Sequence, residues 1–390
     1  MGEASPFVIS DDDRYSRFQL IAWWDQEKIA RAKILVVGAG ALGNEVLKNL
    51  ALLGIGHIYV IDLDDIEQSN LSRSVLFRSS DAGKPKSHVA AAATRDLNPD
   101  VKVYPIKGNV ITDLGLGLFR DVDVVIGCLD NREARLWVNR SCWKVGTPWV
   151  DGGIQEINGV AKVFVPPDGA CYECTMTEND YRLIQLRYSC PLLSQEDILA
   201  GKVPTAPTIS SIIAGLQTQE ALKLIHDMPS AEGSALVFNG IANQFYQTRY
   251  PRRENCLSHE YYEEIETSDL SSEQTAQELF EWANASFGDD NWALELDRDL
   301  LMELHCGACD ETRKVGRPLQ SVSINEATCE GCGQTMRPIT TCRIEQGSDL
   351  CEQKLANLTI PPFDVVRIVT DNQTRYGLLN GDRERVLNQQ

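Results

Sequence analysis

The run 33–37 (Lys-Ile-Leu-Val-Val) is apolar after its first residue and too short for a helix, so it reads as a buried strand. Gly38-Ala39-Gly40-Ala41-Leu42-Gly43 follows at once, and a helix is expected from there to about Leu53. Further strands are expected at 58–61, ending in Asp62, and at 122–126, ending near Asp130. Strands alternating with helical segments predict an α/β fold built on a doubly wound, mostly parallel sheet. Ile209, Ile212, Ile213 and Leu216 recur at helical spacing and predict a long helix over 208–225.

The texture changes after about residue 260. Ser271 with Gln274 has the form of a capping box, opening a helix through Leu279, Phe280 and Trp282. Two apolar runs, 365–369 and 376–379, predict a hairpin. The expected organisation is a main domain over 1–260, an acidic helix or linker over 261–300, a metal-bound ribbon over 301–345 and a small β-rich segment over 346–390. No apolar run approaches the roughly 20 residues of a membrane span. Residues 1–13 lack the basic and apolar parts of a signal peptide, so a cytoplasmic location without membrane attachment is expected.

Charge narrows the partners. The formal net charge is −19, and between Glu260 and Glu303 fourteen acidic residues face one basic residue, Arg298. Such a chain is a poor nucleic-acid binder, because that binding depends on Lys and Arg neutralising phosphates. The acidic stretch reads as a solvated face or as a docking surface for a basic partner. Six of the twelve cysteines fall into C-x-x-C pairs, a spacing that favours metal over disulfides.

Gly38-x-Gly-x-x-Gly43 between a strand and a helix lets backbone approach phosphates, whose charge the helix N-terminus favours. Asp62 stands 19 residues beyond Gly43, at the end of the next strand, where a ribose hydroxyl is often held. These two features alone suit a dinucleotide-dependent oxidoreductase equally well. Asp62-Leu63-Asp64-Asp65, Ser69-Asn70-Leu71-Ser72-Arg73, Gly83-Lys84-Pro85-Lys86 and Gly127-Cys128-Leu129-Asp130-Asn131 then follow in order. The series resembles the superfamily of MoeB, ThiF and the ubiquitin-activating enzymes, over roughly residues 10–260.

The resemblance implies a Rossmann-like adenylation domain that uses ATP and Mg²⁺. Gly38, Gly40, Ala41 and Gly43 would form the phosphate loop, and Asp62 would hold the ribose. Asn70, Arg73 and Lys86 would contact the triphosphate, Asp130 would coordinate Mg²⁺, and Asp64, Ser69 and Asn131 would complete the nucleotide set. Taken singly, Arg73 and Lys86 also suit surface charges and Asp130 a helix cap. Arg14-Tyr15-Ser16-Arg17-Phe18 resembles the family's R-Y-x-R-Q segment, with Phe18 in place of glutamine. There Arg14, with Arg17 as second choice, would reach across a homodimer interface to the other subunit's γ-phosphate.

The resemblance also pairs Cys171 and Cys174 with Cys256 and His259 as a structural Cys₃His zinc site. Independently, Cys306-x-x-Cys309 and Cys329-x-x-Cys332, separated by 19 residues, indicate a zinc ribbon. Its closed shell leaves no open position for catalysis. Of the remaining cysteines, Cys128 and Cys142 read as core, and Cys342 and Cys351 have no evident role. Cys190 lies in the crossover before the long helix, where ubiquitin-activating enzymes carry their thioester-forming cysteine. The implied function is adenylation of the terminal glycine of a ubiquitin-like protein, then a thioester on Cys190 and transfer to an E2-like cysteine enzyme. A sulfur-carrier adenylyltransferase without the thioester and an inactive scaffold are the alternatives.

Overall fold

The computed structural model describes residues 13–182, 204–288, 291–319, 322–323 and 325–388. A short helix α1 (Gln26–Arg31) leads into β1 (Lys33–Val37), which is apolar on both faces because helices cover both. Helix α2 (Ala41–Leu53) starts at Gly40 and stops at Gly54, whose φ of 81° closes it in the left-handed region. Then come β2 (His57–Asp62), α3 (Lys86–Leu97), β3 (Lys102–Lys107), α4 (Leu116–Asp121), β4 (Val124–Gly127) and α5 (Arg132–Val145). Strands β5 (Trp149–Gln155) and β6 (Asn158–Phe164), helix α6 (Pro207–Ile225), and strands β7 (Ser234–Asn239) and β8 (Gln244–Arg249) complete this lobe.

Its eight strands are ordered β3-β2-β1-β4-β5-β6-β7-β8. The first five are parallel, and β6, β7 and β8 continue antiparallel. Strand order reverses between β1 and β4, which opens a crevice beyond their carboxyl ends, the usual ligand position in such sheets. One face packs Ile34, Val36 and Val60 with Leu47 of α2 and Ile213 of α6. The other packs Leu35, Val125 and Trp149 with Phe119 of α4 and Val138 of α5. The expected α/β class and each first-lobe element predicted from the sequence are present.

The second lobe departs from the expected organisation. Strands β9 (Ile265–Ser268), β10 (Ala293–His305), β11 (Thr312–Pro318), β12 (Arg337–Glu345), β13 (Val365–Val369) and β14 (Thr374–Leu379) form one sheet, with helix α7 (Ala276–Phe287) between β9 and β10 in the chain and α8 (Arg383–Leu387) after β14. The acidic stretch is therefore no linker: Leu279, Phe280 and Trp292 are fully buried beneath its charged residues. Helix α7 is capped by Thr275 with Glu278. Ser271 and Gln274, the expected box, close only the turn before it. The predicted hairpin is β13–β14.

This lobe is fastened to the α4–α5 face of the first. Phe363, Val365 and Leu378 join the core of that face. Asp364 accepts the Leu116 amide at 2.7 Å, so a residue far away in sequence caps α4. Lys144–Asp297 and Arg383–Asp121, both at 2.6 Å, flank the junction. No described helix is long and apolar enough to cross a membrane.

Candidate nucleotide site and its two cysteine clusters

The glycine loop sits between β1 and α2 at the crevice. A Cβ on Gly38, whose φ is 99°, would lie 2.5 Å from the Cys128 carbonyl oxygen, and one on Gly43 would lie 2.0 Å from the Gly38 oxygen. A Cβ on Gly40 would meet nothing within 4 Å, so at that point the backbone faces open space. Asp62 holds the loop's shape by accepting the Ala39 amide at 2.7 Å and the Asp64 amide at 2.8 Å. Burial pushes its carboxyl above the usual range, while the Lys86 charge and those two amides pull it back.

The segments 64–66 and 83–86 run side by side, with the Ile66 amide on Lys84 at 2.9 Å and the Lys86 amide on Asp64 at 3.0 Å. This brings the Lys86 ammonium to 2.7 Å from Asp64, beside Asp62. Asn70 turns inward to accept the Glu67 amide at 2.9 Å, Ser69 donates to the Glu67 carboxylate at 3.0 Å, and Arg73 donates to the Ser69 carbonyl at 3.1 Å. Across the crevice Asp130 is exposed, and Asn131 caps α5 through the Ala134 amide at 2.8 Å. The residues fit an anionic nucleotide: a glycine loop on a thirteen-residue helix, a carboxylate at the second strand end, and a lysine beside it. Arg14 lies on the surface, donating to the Leu97 carbonyl at 3.2 Å. Cys190 lies outside the described residues.

Two clusters have metal-ligand geometry. Around a zinc–sulfur distance of about 2.3 Å, tetrahedral donors lie about 3.8 Å apart. Cys171–Cys174 at 3.7 Å, Cys171–Cys256 at 3.5 Å and Cys174–His259 at 3.4 Å match this, and all four donors lie within 4.8 Å of one another. Between the first two ligands, the buried Glu173 accepts from Arg140 at 2.9 Å, from Tyr181 at 2.7 Å and from Ser258. Burial alone would raise its carboxyl, but those three donors outweigh it and hold it low. Cys306, Cys309, Cys329 and Cys332 form the second set, also within 4.8 Å.

The sequence profile of the ThiF family matches residues 13–258, nearly two thirds of the chain, including every described residue of the nucleotide site and stopping short of His259 and the second cluster. The chain belongs to the ThiF family. It is 33% identical to the SAMP-activating enzyme E1 of Haloferax volcanii over 252 residues, which is 62% of this chain and 86% of that protein. It is 29% identical to the sulfur carrier protein ThiS adenylyltransferase of Escherichia coli over 247 residues, 62% of this chain and 93% of that one. Identity to the ubiquitin-like modifier-activating enzyme 7 of Homo sapiens reaches 45%, but over 36% of this chain and only 15% of the relative. The crystal structure of E. coli MccB with ATP aligns at a TM-score of 0.53 and 26% identity, covering 64% of this chain and 74% of that one.

Three polar groups that support this ThiF-type site escaped the sequence reading. The buried Asn44 of α2 donates to the carbonyls of Ala39 at 2.7 Å and Gly40 at 3.0 Å and accepts the Leu76 amide at 2.9 Å. It thereby ties the glycine loop to the segment that carries Arg73. Arg135 pairs with the buried Asp151 at 2.9 Å and donates to the carbonyls of Leu129 and Gly152, fixing the turn that carries Asp130. Gln217 of α6 bridges the carbonyls of Gly127 at 2.8 Å and Val150 at 3.1 Å. The available signal was a polar residue inside an otherwise apolar helical stripe, as Asn44 is between Leu42 and Val46.

Proposed function

We propose that the chain is an ATP-dependent adenylating enzyme acting on the C-terminal glycine carboxylate of a ubiquitin-like or sulfur-carrier protein. The observation that carries this reading is Lys86 and Asp62 converging on the glycine loop at the strand-order reversal, with Arg73 and Asp130 at its rim. In the reaction a carboxylate oxygen attacks the α-phosphorus and the bond to pyrophosphate breaks, leaving an acyl adenylate. Charge grows on phosphate oxygens, so cations fixed in advance lower the barrier. Asp64 keeps Lys86 in place until the triphosphate competes for it, and Asp62 offers acceptors to the ribose. Asp130 would hold Mg²⁺, which neutralises phosphate charge when bound. Zn²⁺ in the two clusters would be structural.

The continuation we favour is attack by the Cys190 thiolate on the acyl carbonyl carbon, expelling AMP and leaving a thioester for an E2-like partner. Support comes from the motif around Cys190 and from relatives named as activating enzymes. A homodimer in which Arg14 completes the partner's site, a cytoplasmic setting and a main domain ending near residue 260 belong to the same reading. The sulfur-carrier reading stops at the adenylate, and it draws support from the 93% coverage of the ThiS adenylyltransferase. ATP–pyrophosphate exchange with a carrier protein ending in glycine, followed by a non-reducing gel, separates the two. Exchange plus a thiol-sensitive adduct lost in Cys190→Ala supports the thioester. Exchange without an adduct supports the sulfur-carrier reading, and no exchange overturns both.

A further inference from the structure

Strand register places an unassigned lysine level with the nucleotide loop. Val37 pairs with Gly127, Gly127 with Asp151, and Asp151 with Lys162 on β6. Adjacent strands lie about 4.8 Å apart, so the Lys162 backbone stands about 10 Å from the end of β4, where Asp130 begins its turn. Its neighbours Ala161 and Val163 point into the core beneath α6, and Lys162 therefore points to the opposite face, with Phe164. That face carries Arg135, Asp151 and Tyr172.

Several cations around this site are matched, although Arg73 is held only by the Ser69 carbonyl. Lys86 pairs with Asp64, Lys107 with Asp65, Arg132 with Asp180 and Arg135 with Asp151. Lys162 has no ion pair among the described residues, and the one carboxylate opposite it is committed to Arg135. Its ammonium lies instead 5.1 Å from the ring centre of Tyr172 and 5.8 Å from that of Tyr250. Burial presses the Lys162 ammonium towards losing its proton, and Asp151 only partly opposes this. A largely desolvated cation without a counter-ion is costly, and a carboxylate delivered to it recovers a charge-assisted hydrogen bond.

We propose that Lys162 receives the terminal carboxylate of the protein substrate, holding it between the two tyrosine rings and the nucleotide loop before adenylation. The inference rests on the adenylation reading above. It adds that the anionic end of the tail is recognised by a single lysine on β6, and that the metal knuckle, which contains Tyr172, builds one wall of that subsite.

The test uses the full chain and a carrier protein ending in glycine, prepared with a free terminal carboxylate and as its C-terminal carboxamide. Calorimetric binding should favour the carboxylate form of the carrier by on the order of 10–100-fold in the wild type. Lys162→Met should bind both forms alike, and Lys162→Arg should regain most of the preference. In pyrophosphate exchange, Lys162→Met should raise KM for the carrier by a similar factor and leave KM for ATP within about twofold. An unchanged carboxylate preference in Lys162→Met overturns the inference while exchange in the wild type still upholds the adenylation reading. A parallel loss of ATP affinity and thermal stability, unrescued by arginine, makes Lys162 structural and also overturns it. Absence of exchange in the wild type removes the adenylation reading and this inference with it.

Discussion

The two cysteine clusters have nearly the same ligand chemistry and opposite surroundings. At the first, Cys171 and Cys174 are buried, and His259 stacks on Trp143 with ring centres 5.1 Å apart. The Arg253 amide points at the Cys174 sulfur, and Glu173 ties the knuckle to α5, to Tyr181 and to Ser258. At the second, Cys309 and Cys332 are exposed, and the local apolar cluster is five buried residues: Leu301, Leu304, Cys306, Cys329 and Met336. A metal held by the first cluster would close a seam in a lobe that already has a large core. A metal held by the second would supply most of the stability of a small tip. One ligand set thus serves two architectures, and what lies around it decides how far a perturbation travels.

The sharpest break in this comparison is removal of a knuckle ligand. Cys174→Ala should leave one zinc per chain instead of two and unbind the segments around 171–174 and 253–259 from the first lobe. Structural zinc contributes on the order of 10 kcal/mol to small domains, and even a fraction of that is a large share of a lobe's stability. The main thermal transition should fall by more than about 10 °C, and pyrophosphate exchange should fall by more than about tenfold. A variant with one zinc and an unmoved transition would show that the knuckle is as isolated as the ribbon.

A smaller effect sharpens the same point without touching a ligand. Glu173→Ala leaves Arg140 without its carboxylate and deprives the buried Ser258 and Tyr181 hydroxyls of their acceptor. Breaking a buried charged network of this kind costs about 3 kcal/mol. Chemical denaturation should show that loss with both zinc ions retained. A change under about 1 kcal/mol would mean that the metal alone holds the knuckle.

The junction between the lobes gives the next effect, and here pH is the probe. Burial raises the Asp364 carboxyl to about 7 from an ordinary 3.8, so between those values the native state binds a proton that the unfolded chain has lost. The stability from this proton is complete below pH ~4 and is lost as pH rises through about 7. Asp364→Asn keeps an acceptor for the Leu116 amide but does not titrate. Relative to wild type, the variant should therefore gain about 2–3 kcal/mol between pH 5 and pH 8. A constant difference across that range would place Asp364 in contact with solvent and loosen the picture of a firmly seated second lobe.

What could be read from the sequence divides along similar lines. β1, the glycine loop, Asp62 and Lys86 were readable because each depends on a short run or a fixed spacing. The two groups of cysteine and histidine side chains that the structure brings together were legible for the same reason. The start of α7 was misread because Ser271…Gln274 and Thr275…Glu278 have the same form, and both make their hydrogen bonds. Only the turn after Thr275 continues as a helix. The helix in the acidic stretch was legible, but its part in a core was not, because charge dominates the composition while Leu279, Phe280 and Trp292 are buried. Arg135–Asp151 and the unmatched Lys162 depend on cross-strand register, which no local pattern encodes. The parallel pairing of β9 with β14 joins segments far apart in the chain and is hidden for the same reason.

The smallest expected effect is the one that most directly tests the contrast. Cys332→Ser opens the ribbon's shell from its exposed side and should cost the chain one zinc. The damage should stop within the tip, because over residues 293–295 β10 is held by the hairpin strand β13 and by the far end of β12, while β11 and the cysteine end of β12 meet it only from Leu300 to His305. The start of that strand is anchored independently of any metal, since Trp292 and Leu294 are fully buried in the second lobe's own core. The main thermal transition and the exchange rate should stay within about 2 °C and about twofold of wild type, while limited proteolysis gains a site between residues 306 and 336. A tenfold loss of exchange without a shift in the transition would instead tie the ribbon to the nucleotide site. The exposure of Cys309 and Cys332 would then mark a working surface and not a remote staple.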